Sequence, residues 1–419
     1  MKPTPAAQTL IAIDDLRVGV FVHLDMGWMS HPFPLSSFKI SSADQIVTLR
    51  SLGTQHLRWS PELSDEPDAE PPPVPAAPAP LSAEAQALAA HRAALAAQQD
   101  SLQRCERQFS EATSAYQGIG DRVRLDPVLA GEQALALSDA LLGKMAQEEE
   151  LCIRLLNEGA GDKGSAHAVN VTIISLLMGR AFGLQEDDMR DLGVGALMHD
   201  VGKHGMAASD QHRDEVNPHH DPRAYEEHVA RGVSQGRHMG LSAAALLVIA
   251  QHHEMADGSG FPLRLGSDRM SALARIVALV NRYDNLCNPS VPSRALTPHE
   301  AVSMLFATGS QKFDPPILNA FIKMMGVYPA GSVVQLTDDR YGMVVAANSS
   351  RPLKPRVLLH TSGVPRDEAL VLDLETVPGL GIRRSLKPSA LPVATLEYLQ
   401  PRRSLASFFE RARPLVATA

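Results

Sequence analysis

Cysteine, positive charge and long apolar runs are all scarce in this chain, and each scarcity closes off a class of protein. The only cysteines in 419 residues are Cys105, Cys152 and Cys287. They are odd in number and far apart, so reduced thiols are expected rather than a disulfide framework. The 39 Lys and Arg are outnumbered by 47 Asp and Glu, for a formal charge of −8, which argues against the basic footprint that duplex nucleic acid requires. No stretch approaches the roughly 18 to 20 apolar residues of a spanning helix. The opening segment, Met1 to Asp15, shows neither a basic n-region nor a cleavage site of small residues. The expectation is a cytoplasmic protein with no nucleic-acid and no membrane partner. At 44% hydrophobic there is ample material for packed cores, and the length suggests about two to three domains.

What is present divides by texture. Residues 1–64 alternate short apolar runs with turn residues, predicting a small α/β module of about three strands and one helix. Residues 65–81 are acidic and proline-rich, an extended linker. Over 82–150 the composition turns to Ala, Gln and Leu, a helical linker region. Leu81, Leu88, Leu95, Leu102 and Phe109 recur every seven residues, but Arg92, Gln99 and Glu106 fill the companion seam. A homodimeric coiled coil and a helix packed on its own chain both remain open. A further helix is expected over 131–158. Residues 151–326 carry apolar spacings of three and four and predict an all-α helical bundle, which makes the fold mainly α. Residues 327–395 read as a small β-module, and 396–419 as a C-terminal helix or tail, an amphipathic helix being expected in YLQPRRSLASFFERA.

Histidines are clustered: nine of the 16, from His199 to His253, fall within 55 residues. The helical segment offers His167, the adjacent pair His199 and Asp200, then His228, the pair His252 and His253, and finally Asp284. Neutral imidazoles with a few carboxylates suit a divalent first-row metal better than calcium or a structural zinc. A carboxylate can bridge two ions, and two ions about 3.5 to 4 Å apart would activate a hydroxide between them and clamp a phosphate oxygen. Lys203, one turn beyond His199, could bring an ammonium to the same phosphate. Phosphate-ester hydrolysis is the chemistry this set predicts.

HDVGK at 199–203 and HHEMADGSGFP at 252–262, joined with His167, His228 and Asp284, resemble the HD superfamily of metal phosphohydrolases and, within it, the HD-GYP branch. The match spans roughly residues 160–326. The resemblance implies hydrolysis of cyclic di-GMP to linear pGpG, and in some members onward to GMP, with iron or manganese favoured. It also implies that His167, His199, Asp200 and Asp284 hold one metal and Asp200, His228, His252 and His253 the other, with Asp200 as the bridge. The N-terminal LRVGVFVHLD and HPFP strings are similar to a small domain of unknown function that often precedes HD-GYP domains.

Three positions depart from that pattern. Lys163 stands where some members carry a glutamate for a third metal, so two ions are expected. Phe261 replaces the tyrosine of the signature and keeps its ring. Ser290 replaces an arginine that helps hold the dinucleotide, leaving Arg294 as the nearby guanidinium. Asp257, Gly258 and Gly260 should shape the loop after His253; protein partners through Gly258–Pro262 are a secondary expectation. Glu254 is divided evenly between orienting a ligating imidazole and a solvated helix-end charge. His204, His212, His219, His220 and His238 are read as ordinary residues, and Lys203 has a competing reading as a helix C-cap. Two other functions stay open: a non-catalytic dinucleotide receptor or adaptor, and an HD nucleotidase acting on another nucleotide.

Overall fold

The computed structural model describes residues 9–26, 31–33, 35–65, 82–156, 162–207, 209–211, 222–348, 350–401 and 405–412. Nearly all of the expected proline-rich linker, and His212, His219 and His220, lie outside the described residues. The chain forms two compact units, residues 1–90 and 91–419.

The first unit is built on an antiparallel sheet of β1 (Leu10–Ala12), β2 (Phe21–His23), β3 (Ser37–Lys39) and β4 (His56–Trp59), in the order β1-β4-β2-β3, with helix α1 (Ala43–Ser51). That is one strand more than the alternation predicts, because three-residue strands are defined by their partners rather than by a readable period. The Ser42 hydroxyl caps α1 by accepting the Gln45 N–H at 3.4 Å. Leu49 of α1 packs into a core with Val20, Val22, Ile40 and Leu57.

Helix α2 (Ala83–Arg122) runs unbroken for 40 residues. Leu88 is exposed, whereas Cys105, Phe109, Tyr116 and Ile119 are buried, so the later apolar positions pack on their own chain. The helical bundle follows with α3 (Pro127–Ala146), α4 (Lys163–Phe182), α5 (Glu186–Leu197), α6 (Pro222–His238), α7 (Ala243–Gln251), α8 (Ala272–Cys287), α9 (Pro298–Thr308) and α10 (Pro315–Met325). Helix α4 sits at its centre, against α5 and α8, and 13 of its 20 residues are buried. Burial on most sides explains why its sequence is apolar nearly all round. Its ends are set locally. The Asp162 carboxylate accepts the N–H groups of Gly164 and Ser165, and Gly183 stops the helix in the left-handed region at φ 66°.

The remaining strands make one seven-stranded antiparallel sheet: β5 (Leu151–Leu155), β6 (Val333–Leu336), β7 (Tyr341–Asn348), β8 (Arg356–Leu359), β9 (Val371–Asp373), β10 (Ile382–Leu386) and β11 (Ser407–Arg411). The order is β10-β6-β7-β5-β11; β7 also pairs with β8, and β8 with β9. Helix α11 (Val393–Leu399) lies before β11.

This sheet corrects two expectations. The helix expected over 131–158 ends at Ala146, and Leu151–Leu155 is a strand paired with β7 and with β11. The expected C-terminal amphipathic helix stops at Leu399, where Gln400 turns left-handed (φ 45°) before Pro401, and Ser407–Arg411 is a strand. Both strands were invisible for one reason: each takes its partner from far along the chain, and β11 is buried at Phe408, Phe409 and Glu410 without alternation. Glu410 sits between two arginines, 3.5 Å from Arg154 on β5 and 3.1 Å from Arg356 on β8, and so ties three strands. The helical region from residue 91, the bundle and the β-module therefore share one compact unit.

Candidate metal centre

Two junctions bring the histidines together. Helix α5 ends at Leu197, and a single 3-10 turn, Val201–Lys203, follows His199 and Asp200. Gly202 lies in that turn. A Cβ there would stand 1.9 Å from the His228 carbonyl oxygen, so only glycine lets α6 approach closely enough to set His228 beside Asp200. The end of α7 delivers His252 and His253, and α4 delivers His167.

The two oxygens of the Asp200 carboxylate face opposite halves of the cluster. Oδ2 lies 3.4 Å from His199 Nε2 and 3.7 Å from His167 Nε2. Oδ1 lies 3.4 Å from His228 Nε2 and 3.6 Å from His252 Nε2. Ligand atoms of His167, His199 and Asp200 form one group within 4.8 Å of one another, and those of Asp200, His228, His252 and His253 form a second. Asp200 belongs to both.

The imidazoles are held in one tautomer by a repeated device. Nδ1 of His199 donates to the Ala196 carbonyl (2.6 Å), Nδ1 of His228 to Tyr225 (2.5 Å) and Nδ1 of His252 to Ile249 (2.8 Å). In each case the acceptor is three residues back along the chain. That leaves Nε2 as a lone pair aimed at the centre. His228 Nε2 and His252 Nε2 then face each other at 3.3 Å, two acceptors with no proton between them. Burial pushes His199 down to about 4 and His228 to about 3, and holds His253 well below the usual range, so no proton enters at neutral pH. Asp200 Oδ1 is buried with no hydrogen-bond donor. Opposed lone pairs and an orphaned carboxylate oxygen are what a bound cation satisfies, and the donor set suits a first-row divalent ion.

Burial works against the Asp200 charge, but Lys203 and the surrounding imidazoles outweigh it and hold the carboxyl well below the ordinary range. The Lys203 ammonium lies 2.6 Å from Asp200 Oδ2 and 5.3 Å from the centre of the Tyr225 ring. Asp284 is placed differently from the other predicted ligands. Its Oδ2 is 2.6 Å from His167 Nδ1, while His167 Nε2 points to His199 at 3.2 Å. It orients His167 from behind, a carboxylate–histidine arrangement common around metals. Burial lowers the His167 pKa, but Asp284 and Asp200 more than offset this and raise it. Lys163 is exposed at the start of α4; the two groups named above are the ones the described residues form.

Comparison with known proteins agrees with this geometry. Residues 131–317 match the HD domain family and residues 8–134 match a domain of unknown function, DUF3391. The HD match covers the helical bundle that carries the histidine cluster. It is similar to a cyclic di-GMP phosphodiesterase of Pseudomonas aeruginosa, 26% identical over 83% of this chain and 84% of that one. The cyclic di-GMP phosphodiesterase response regulator RpfG of Xanthomonas campestris pv. campestris is 30% identical over 46% of this chain and 53% of that one. A 3'3'-cGAMP-specific phosphodiesterase of Vibrio cholerae is 26% identical over 42% of this chain and 34% of that one.

In this HD domain the stretch after His253 is a loop built around Glu254. Glu254 is fully buried, and its carboxylate accepts the N–H of Leu263 at 2.7 Å and of Leu265 at 2.8 Å. It neither orients an imidazole nor meets solvent, so both earlier readings give way to a staple that closes the loop. Gly260 passes within 2.5 Å, measured from a would-be Cβ, of the Glu254 backbone and the His253 carbonyl. Phe261 then stacks on His253 with ring centres 4.4 Å apart. The ring retained from the signature tyrosine packs against the His253 imidazole, a contact that needs no hydroxyl.

A cleft of about 300 Å³ opens beside the HD centre, lined among others by Lys203, Tyr225, Asn281, Arg282, Ser290 and Arg294. Among the described residues its lining carries three cations and no carboxylate. Arg294 and Lys203 both line this cleft, and His204 and His238 stay outside both groups. Tyr225, Asn281 and Arg282 were missed. Tyr225 lies one turn before His228 and its hydroxyl is 3.2 Å from His253 Nε2. Asn281 and Asn285 stand one turn apart on α8, with Arg282 beside Asn281, a polar face at the C-terminal end of a helix whose first half is mostly apolar.

Proposed function

We propose that this chain is a phosphodiesterase that hydrolyses cyclic di-GMP to linear pGpG, with His167, His199 and Asp200 holding one divalent ion and Asp200, His228, His252 and His253 the other. The carrying observation is the Asp200 carboxylate, whose two oxygens each face two imidazole lone pairs on opposite sides. Iron or manganese at these positions would supply Lewis-acid activation of water and charge to meet a phosphate.

The chain's own residues do the rest. Low pKa values keep the His199 and His228 nitrogens unprotonated, and Lys203 balances the Asp200 charge while facing the cleft. Arg282 and Arg294 offer guanidiniums to a phosphodiester bearing negative charge. Arg282 thus places a second guanidinium on a wall where Ser290 has none. Attack of water on one phosphorus breaks one P–O bond and yields a 5'-phosphate and a 3'-hydroxyl, which is pGpG. Relatives named for cyclic di-GMP support the choice of substrate.

Ser290 favours one competitor, a receptor that binds dinucleotide without turnover. Anaerobically purified protein, loaded with iron or with manganese, is expected to convert cyclic di-GMP to pGpG, with GMP and 3'3'-cGAMP turnover followed in parallel. Tight binding with no product, unchanged by His199→Ala, would establish the receptor instead. Preferred cleavage of 3'3'-cGAMP would move the substrate assignment.

A further inference from the structure

The predicted metal positions leave a question of support: Asp284 aims His167, but something must aim Asp284. Two asparagines do, in matching fashion. Asn170 on α4 donates one amide hydrogen to Asp284 Oδ1 at 3.0 Å and the other to the Leu405 carbonyl at 2.9 Å. Asn288, the C-cap of α8, does the same, at 3.0 Å and 2.9 Å. Their own carbonyl oxygens accept backbone N–H groups, Ser407 to Asn170 at 3.1 Å and Leu405 to Asn288 at 2.7 Å. Each asparagine is thereby fixed at three points, two of them on the segment that leads into β11. Only a primary amide offers two donors and an acceptor in this layout; aspartate would present oxygens to the Asp284 carboxylate and to a carbonyl.

The segment cannot drift, because β11 is anchored elsewhere. It pairs with β5 over Ser407–Arg411, and Leu156 N–H donates to the Ala406 carbonyl at 2.9 Å. Glu410 adds its ion pairs to Arg154 and Arg356. The chain of contacts is continuous: sheet, Leu405–Ser407, two asparagines, Asp284, His167.

We propose that the Leu405–Ser407 backbone is part of the metal centre's support, and that Asn170 and Asn288 are positioning residues through which it sets the affinity for the ion held by His167. This rests on the two-ion reading above. Among the described residues the hydrogen bonds of the second group, His228, His252 and His253, run to Tyr225, Ile249 and one another rather than to this segment, and the group should be indifferent to it.

The test uses the full chain loaded with manganese, with elemental analysis, competition against a chelator, and the electron paramagnetic resonance spectrum, which distinguishes coupled pairs from isolated ions. Asn288→Asp reverses the donors. Ser407→Pro removes the N–H that Asn170 accepts while leaving both asparagines in place. Wild type is expected to hold two ions with a coupled spectrum. Both variants should hold one ion tightly, lose the other with an affinity drop of about 10- to 100-fold, and show the spectrum of an isolated ion. A purely structural role would lower the melting temperature of the metal-free protein yet leave two coupled ions. Two ions at wild-type chelator resistance in both variants would overturn the inference. Wild type that takes up no coupled pair would instead sink the two-ion reading, and this support role with it.

Discussion

The two halves of the metal centre are held by different means. On one side, His199 is tied to its own helix, but His167 depends on Asp284, the two asparagines and the backbone of residues 405–407. On the other side, His228 and His252 are fixed by carbonyls three residues back, and His253 by the Phe261 ring and the Tyr225 hydroxyl. The first half needs distant chain to be in place; the second is organised within α6, α7 and one stapled loop. A single site can thus combine a half whose geometry is local with a half that reports whether the whole unit is assembled.

The largest effect should come where the halves meet. Asp200→Ala removes the shared ligand, so both ions should be lost. Turnover of cyclic di-GMP should then fall by about a thousandfold or more, since metal stabilisation of phosphoryl charge is worth several kcal/mol. Steady-state assay with elemental analysis checks both; retention of two ions would break the symmetry argued for Asp200.

Acid should act more gently, and on both halves. For His199 and His228 the folded pKa is depressed from 6.5 to about 4 and about 3. The unfolded chain therefore binds protons first, and stability is fully present above pH 6.5 and lost as pH falls toward 4. His167 runs the other way. Its pKa is raised, so its contribution is present below 6.5 and lost as pH rises through the folded value. Metal-free protein should lose about 2 kcal/mol per depressed histidine, read from urea midpoints between pH 7.5 and 5. A midpoint that rises on acidification would contradict the sign.

Tyr225→Phe is the mildest probe. It removes one hydroxyl from His253 and leaves the ring between Lys203 and Phe261. A loss of about 1 kcal/mol, five- to tenfold in kcat/KM, is expected with both ions retained. Loss of an ion on this change would mean that the second half is less self-sufficient than its hydrogen bonds indicate.

Much of the centre could be read from spacing because its candidate ligands sit on, or just beyond, a run of helices. His167, His199, Asp200, His228, His252 and His253 come together as the motif implied. Asp284 also lies at the centre, but behind His167, a distinction that spacing does not carry. Asn170 and Asn288 look like ordinary polar residues in the chain, and their meaning appears only when β11 arrives beside them. The same non-local pairing hid β5 and β11, since no five-residue window contains a partner more than 200 positions away. Glu254 was left between two readings because neither included backbone N–H groups nine and eleven residues downstream.

The pairing of β5 with β11 also has a consequence in time. Residues 151–155 are synthesised long before 407–411, so a growing chain can wind its helices and gather the second group of ligands while the sheet still lacks its edge. The His167 side must wait for the last strand. On the support role proposed above, a chain clipped before β11 would keep one ion and lose turnover, so that competence would depend on completion.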